Sequence, residues 1–180
     1  MKPIPGHVIS AGQLRAQGIR AREVSSMAAN LYLFPTPFKG IYYVPIDDER
    51  RGWLLQKPML ALREALSIYL GTGGFYYSCA TSEEFHGLSW HPSGELHVVN
   101  TMRSGKVDLQ ARIGRSLRKK TWRARQVARI LEFYGRRIIF HRVPSVSKAK
   151  TEETPYGRFA TRGQIKKDHK RFREKNSGQG

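Results

Sequence analysis

The 180-residue sequence has a single cysteine, Cys79, which excludes an intramolecular disulfide. No spacing of cysteine and histidine resembles a structural zinc site, and no metal or cofactor is expected. Long apolar runs are missing too. No segment approaches the roughly 20 apolar residues of a membrane span, and the opening MKPIPGHVIS lacks the apolar run of a signal peptide. The cytoplasm is therefore the expected location, and no membrane partner is expected. Acidic residues are the scarcest class for a chain of this size. Fourteen Asp and Glu face thirty-two Lys and Arg, giving a formal charge of +18 and an isoelectric point near 10.5. Aromatic residues are not scarce: eight Tyr, eight Phe and three Trp suffice to build a core.

A compact chain with such an excess of one sign repels itself, and a polyanion is its natural neutraliser. Lys and Arg placed on phosphates release counterions, which gives strong, salt-dependent affinity without sequence information. Double-stranded DNA is the expected partner. An RNA-binding or DNA-coating role fits the same composition.

Read along the chain, Ser10 can cap a helix through AGQLRAQ, with Ile9, Leu14 and Ile19 supplying buried surface. Gly18 and Ile19 break it, and a second helix runs from about Arg20 or Ala21 to Asn30 with Val24 inward. Tyr32 to Phe34 and Ile41 to Val44 read as strands around a PTPFKG turn. The polar DDERRG (47–52) reads as a break between domains. A helix follows over KPMLALREALSIYLG, then a strand in FYYSCA and a short helix in TSEEFHGL, where Thr81 or Ser82 with Glu84 fits part of a capping pattern. A strand is expected over 95–102, one basic helix from Arg112 to Tyr134, and a strand over 136–144. From Ser145 the chain is polar, basic and poor in aliphatics, as mobile tails are. The expected fold class is α+β: an N-terminal winged helix-turn-helix (1–46), a small mixed α/β domain with the basic helix (53–144), and a basic flexible C-terminal tail (145–180).

In a winged helix the second helix enters the major groove while the wing lies along the backbone or minor groove. Arg20 and Arg22 stand at the start of that helix, where side chains reach base edges or flanking phosphates. Ser25, Ser26 and Asn30 offer shorter polar contacts, and Lys39 falls at the wing tip. An ordinary pair of helices with solvated arginines fits the same pattern. Further on, thirteen Lys and Arg lie between Arg103 and Arg142 against Asp108 and Glu132 alone. A solvated helix usually interleaves acids with bases; this segment does not, so Arg115, Arg118, Lys119, Lys120 and Arg123 are expected phosphate contacts. Trp122 is expected to pack rather than to stack on a base.

The run ISAGQLRAQGIRAREVSSMAANLYLFPTPFKGIYYVP resembles the N-terminal winged helix of AbiEi-like antitoxins, with Gly18–Ile19 at the turn and Gly40–Ile41–Tyr42 closing the wing. LREALSIYLGTGGFYYSCATSEEFHGL is similar to that family's helix, strand and small-residue helix ending in His-Gly-Leu. The VVNTM and FYGRRIIFHRV strands also have counterparts there. The resemblance covers residues 8 to 145 and implies a transcriptional autoregulator of the antitoxin type, with a cognate toxin as a partner. Dimeric binding to a palindromic operator is consistent with that role. The Pro-rich PTPF wing departs from the family's basic wing, and the basic helix and tail exceed its pattern.

One segment suggests chemistry instead. Glu83, Glu84, His86 and His91, with Glu95 and His97 beyond them, offer the carboxylates and imidazoles that a nuclease or base-removing enzyme uses. None has the spacing of an established ligand motif, so the expectation is a protein without catalysis and an enzyme is the alternative.

Overall fold

The computed structural model describes residues 3–177. Along the chain run β1 (Val8–Ser10), α1 (Ala11–Ala16), α2 (Ala21–Ala29), β2 (Phe34–Pro35), β3 (Ile41–Tyr43), α3 (Asp47–Gly52) and α4 (Pro58–Leu70). These are followed by β4 (Phe75–Tyr77), α5 (Cys79–Phe85), β5 (Glu95–Asn100), β6 (Gly105–Asp108), α6 (Leu109–Arg118) and α7 (Trp122–Glu132). The last elements are β7 (Arg137–Arg142), β8 (Thr151–Thr154), β9 (Gly157–Ala160) and α8 (Arg162–Ser177). This is a mixed α/β chain with two sheets. It divides into two compact units, each discontinuous in sequence: residues up to Thr72 with Asp108–Gly135, and Gly73–Val107 with the chain from Arg136 onward. The expected boundaries near 46–53 and 144–145 do not coincide with this division, because strands from 73–107 and 136–160 share one sheet.

In the first unit Ser10 caps α1 as its sequence promises. Its hydroxyl accepts from the Gln13 N–H at 3.1 Å, and the Gln13 side chain accepts from the Ser10 N–H at 2.8 Å. Leu14, Val24, Ile9, Leu33 and Val44 form a buried cluster with Ile19 packed against it. Gly18, at φ +87°, makes the left-handed turn between α1 and α2 that a side chain would strain. Strand β3 is central in an antiparallel sheet of order β1-β3-β2. The Pro-rich loop between β2 and β3 is not a free wing: Thr36, Pro37 and Phe38 are buried, the Thr36 hydroxyl donates to the Ile41 carbonyl at 2.8 Å, and Phe38 stacks on Tyr69.

Two readings of this unit need correction. DDERRG is not a break but α3, organised by Glu49, which is 1% exposed. Its carboxylate accepts from the Tyr43 hydroxyl (2.7 Å), the Ile46 N–H (3.2 Å) and the Gln56 N–H (2.9 Å). Nor is the basic segment one helix. Lys120 adopts the left-handed conformation (φ 54°), and Thr121 starts α7 by accepting from the Ala124 N–H. Asp108 caps α6 in the same way through the Ala111 N–H.

The second unit is a six-stranded mixed sheet of order β6-β7-β5-β4-β9-β8. Strand β5 runs parallel to β7 and antiparallel to β4, and β9 joins β4 in parallel. The segment 151–177 is therefore not a flexible tail; residues 178–180 of that expected tail lie outside the described residues. Few apolar residues suffice because they are well placed: Ala160 on β9 and Ile165 and Phe172 on one face of α8 bury against Tyr76 and Val99. On the same face of α8, Asp168 is 2% exposed and accepts from the Ser78 hydroxyl (2.7 Å), the Tyr76 hydroxyl (3.1 Å) and the Gln164 amide (2.9 Å).

Glu49→Ala leaves one buried and two part-buried donors without their acceptor, so a denaturant titration should show a loss of about 3 kcal/mol. A chain ending at Pro144 lacks β8, β9 and α8. Its near-ultraviolet circular dichroism should collapse, whereas removal of a true flexible tail would leave the spectrum intact.

Candidate nucleic-acid interface

With Val24 turned into the core, the opposite face of α2 carries Arg22, Ser25, Ser26 and, just past its end, Asn30; all four are exposed, as is Arg20 before it. The Glu23 carboxylate accepts from the Arg20 N–H at 2.8 Å and so fixes the start of the helix. Ser25 donates to the Ala21 carbonyl and Asn30 to the Ser26 hydroxyl, both exposed bonds that a ligand can replace. Lys39 is exposed at the tip of the β2–β3 loop, beside the buried Thr36–Phe38.

The two-helix element α6–α7 carries the densest positive charge. Arg115, Arg118, Lys119, Lys120 and Arg123 are exposed, as are Arg125 and Arg129. Among the described residues none of the seven has a carboxylate within 4 Å. Arg112 is the exception in kind. It is half-buried, and its Nη1 donates to the carbonyls of Thr36 (2.8 Å) and Pro37 (3.1 Å), pinning α6 to the β2–β3 loop. Burial lowers its affinity for the proton, and neighbouring Arg115 adds to the effect. Trp122 packs edge-on against Trp53 with ring centroids 4.9 Å apart, as the packing expectation has it, yet half of it stays exposed.

The acidic and imidazole residues of 83–91 are not gathered into one site. Glu83 bonds His169 at 2.8 Å, and Glu84 accepts from the backbone and hydroxyl of Ser93. His86 contacts the Ala160 carbonyl through Nε2 at 2.9 Å, and His91 is exposed. The expected cap of α5 by Thr81 or Ser82 is absent as well. The helix begins earlier, at Cys79, and the Thr81 and Ser82 hydroxyls donate to the Glu95 and Tyr77 carbonyls instead.

A different set does converge: Cys79, His97 and His141 bring one donor atom each to within 4.8 Å of one another. Burial pushes the Cys79 thiol up to about 12, with the nearby Asp168 carboxylate adding to it. Burial lowers His97, against the opposing pull of Glu95. Spacing could not reveal this set, because its members come from a strand–helix junction and two strands that only the sheet brings together. Neither a family model, nor a curated protein, nor a solved structure matches the chain.

The two kinds of arginine on α6 should separate experimentally. Arg112→Ala strands two buried carbonyls and should lower the unfolding free energy by about 2 kcal/mol. Arg115→Ala, on the exposed side, should leave it within about 0.5 kcal/mol, read from the same denaturant curves.

Proposed function

We propose that this protein binds double-stranded DNA and acts as a transcriptional regulator, an autorepressor of the antitoxin type. The observation that carries the reading is the array of seven exposed, unpaired cations on α6, α7 and the turn between them. They belong to the same compact unit as the exposed polar face of α2. A protein leaves that many cations without partners at a cost in self-repulsion, which a phosphate backbone relieves. In this reading β1, α1, α2, β2 and β3 are a minimal winged helix in which α2 is the recognition helix. Arg20, Arg22, Ser25 and Ser26 read base edges or adjoining phosphates, while Arg115, Arg118, Lys119, Lys120 and Arg123 hold the backbone. The wing contributes one cation, Lys39, because its Pro-rich stem is spent on packing. In the antitoxin version the second unit meets a cognate toxin or a second copy of the chain. The dispersal of Glu83, Glu84, His86 and His91 weighs against the enzymatic alternative.

The test is binding of the purified chain to its own upstream DNA and to scrambled DNA across a salt series. Preference for the upstream fragment at physiological salt is expected, and Arg20→Ala or Arg22→Ala should each cost about 1–3 kcal/mol on that fragment. Neutralising the five backbone contacts on α6–α7 together should flatten the slope of log affinity against log salt by about 4 to 5. Equal, steeply salt-dependent binding to both fragments would sink the operator reading, and effective competition by double-stranded RNA would redirect it to RNA, whose deep major groove excludes a recognition helix.

A further inference from the structure

The second unit contains three side chains of metal-binding type that the DNA-binding reading does not use. Cys79 opens α5 directly after β4, His97 lies on β5, and His141 lies on the parallel neighbour β7. In that ladder His97 faces Ile139 and Val99 faces His141, so both imidazoles project from the same face as diagonal neighbours. Their rings are nearly parallel, at 9°, and His97 Nδ1 stands 2.9 Å from His141 Nε2. Cys79 is buried, and its backbone is held at φ 50°, a conformation that a non-glycine residue adopts at a cost of about 1–2 kcal/mol. The only thiol of the chain lies beside the two imidazoles, the three donor atoms falling within 4.8 Å of one another.

We propose that Cys79, His97 and His141 form a binding site for one divalent zinc-class ion. The donor set suits that class, since one sulfur and two imidazole nitrogens favour a borderline-soft cation over magnesium or calcium. The spacing of the imidazoles fits as well, and the Cys79 sulfur, in a set that spans no more than 4.8 Å, has to come to about 3.5 Å from each nitrogen. Two nitrogens each about 2.0 Å from a tetrahedral zinc lie about 3.3 Å apart, so the 2.9 Å His97–His141 contact need open by only a few tenths of an ångström. The surroundings are those of metal-binding histidines, which hold their outer ring nitrogen against a carboxylate or carbonyl. His97 turns its Nε2 toward Glu95 Oε2 at 3.7 Å, and Glu95 is itself anchored by Arg137 at 2.8 Å. Phe172 of α8 stacks on the His141 ring, with centroids 3.9 Å apart and planes 10° from parallel, and fixes its orientation. His141 also lines an open groove with Lys106, Arg137, Arg142 and Phe172, which gives an ion a way in and leaves a fourth coordination position to water or a ligand. Binding releases the thiol proton to solvent, and the imidazole that donates in the His97–His141 contact shifts to its other tautomer, so that each ring meets the ion with a lone pair and keeps its proton on the outer nitrogen. The ion then ties the β4–α5 junction to β5 and β7.

The proposal does not depend on DNA binding, and its test uses no nucleic acid. The full chain, freed of any histidine tag and stripped with a chelator in a thiol-free reductant, is titrated with Co2+. Binding of one ion per chain is expected, with intense d–d bands in the visible and a thiolate-to-cobalt charge-transfer band in the near ultraviolet, both abolished by added Zn2+. Because the chain has one cysteine, that charge-transfer band reports on Cys79 even without a variant. Cys79→Ser should remove it, and His97→Asn or His141→Asn should weaken Co2+ binding at least 100-fold. Glu95→Gln should retain the spectrum with an affinity about 10- to 100-fold lower. Absence of the charge-transfer band in the unaltered chain overturns the proposal, as does an affinity unchanged by both histidine substitutions.

Discussion

In a strongly cationic protein the ready partner for a buried carboxylate is an arginine. Glu49 and Asp168 do otherwise. Each is almost wholly buried, and each is satisfied by hydroxyl, amide or backbone donors: Tyr43, Ile46 and Gln56 around Glu49, and Tyr76, Ser78 and Gln164 around Asp168. Hydrogen bonds from several short donors satisfy a carboxylate without ordering a long cationic side chain, and they fix the elements that carry the donors. Glu49 ties β3 to α3 and to the chain beyond it; Asp168 ties β4 to α8. Both tyrosine phenols are pushed up, chiefly by burial and secondly by the adjoining carboxylate, so they remain donors throughout the physiological range.

The same economy extends to the half-buried and exposed acids. Glu64 accepts from the Val8 N–H, Glu23 from that of Arg20, Glu84 from that of Ser93, and Asp108 from that of Ala111. Carboxylates that serve as caps and loop clasps are not available to neutralise the surface. With fourteen acids against thirty-two bases, using them in this way leaves the exposed cations of α6, α7 and the turn between them without ion-pair partners among the described residues. The unpaired surface is thus a consequence of how the scarce acids are used, as well as of how many bases there are. The Arg137–Glu95 pair at 2.8 Å is a different case: it belongs to the second unit and orients Glu95 beside His97.

Much of the local structure was legible in the sequence because the signals were local. The Ser10 cap, the Gly18 turn, the Pro58 start and Gly71 end of α4, and the strands at 95–100 and 137–142 all rest on residues within a turn or two of each other. Two of the errors share one cause, which is that partners outside a segment override its local polarity. DDERRG looks solvated until Tyr43 and Gln56 close on Glu49. The stretch after Ser145 looks disordered until β9 enters the sheet beside β4 and Phe172 finds His141. The division at Lys120 escaped because apolar residues keep helical spacing across it, while a single left-handed residue interrupts the axis. Of the site, the exposed face of α2 and the basic run were readable from composition and periodicity. The Cys79–His97–His141 set was not, since sheet order determines it and no spacing rule encodes sheet order.

Arginine on this protein divides by what its neighbours lack. Arg112 and Arg115 lie one turn apart on α6, in the same field of positive charge, yet they have different physical roles. Arg112 reaches two carbonyls of the β2–β3 loop, where the Pro-rich turn leaves acceptors without N–H partners. Both N–H groups of Nη1 are used there, one on each carbonyl, which holds the guanidinium in place. Arg115 and its exposed neighbours meet no such acceptors and keep their donors turned to solvent. Under the proposed DNA-binding function, a phosphate backbone is the source of the acceptors that those side chains lack. Charge alone does not separate the two groups, but the location of unsatisfied acceptors does, and it assigns Arg112 to the fold and leaves the exposed cations without a part in it.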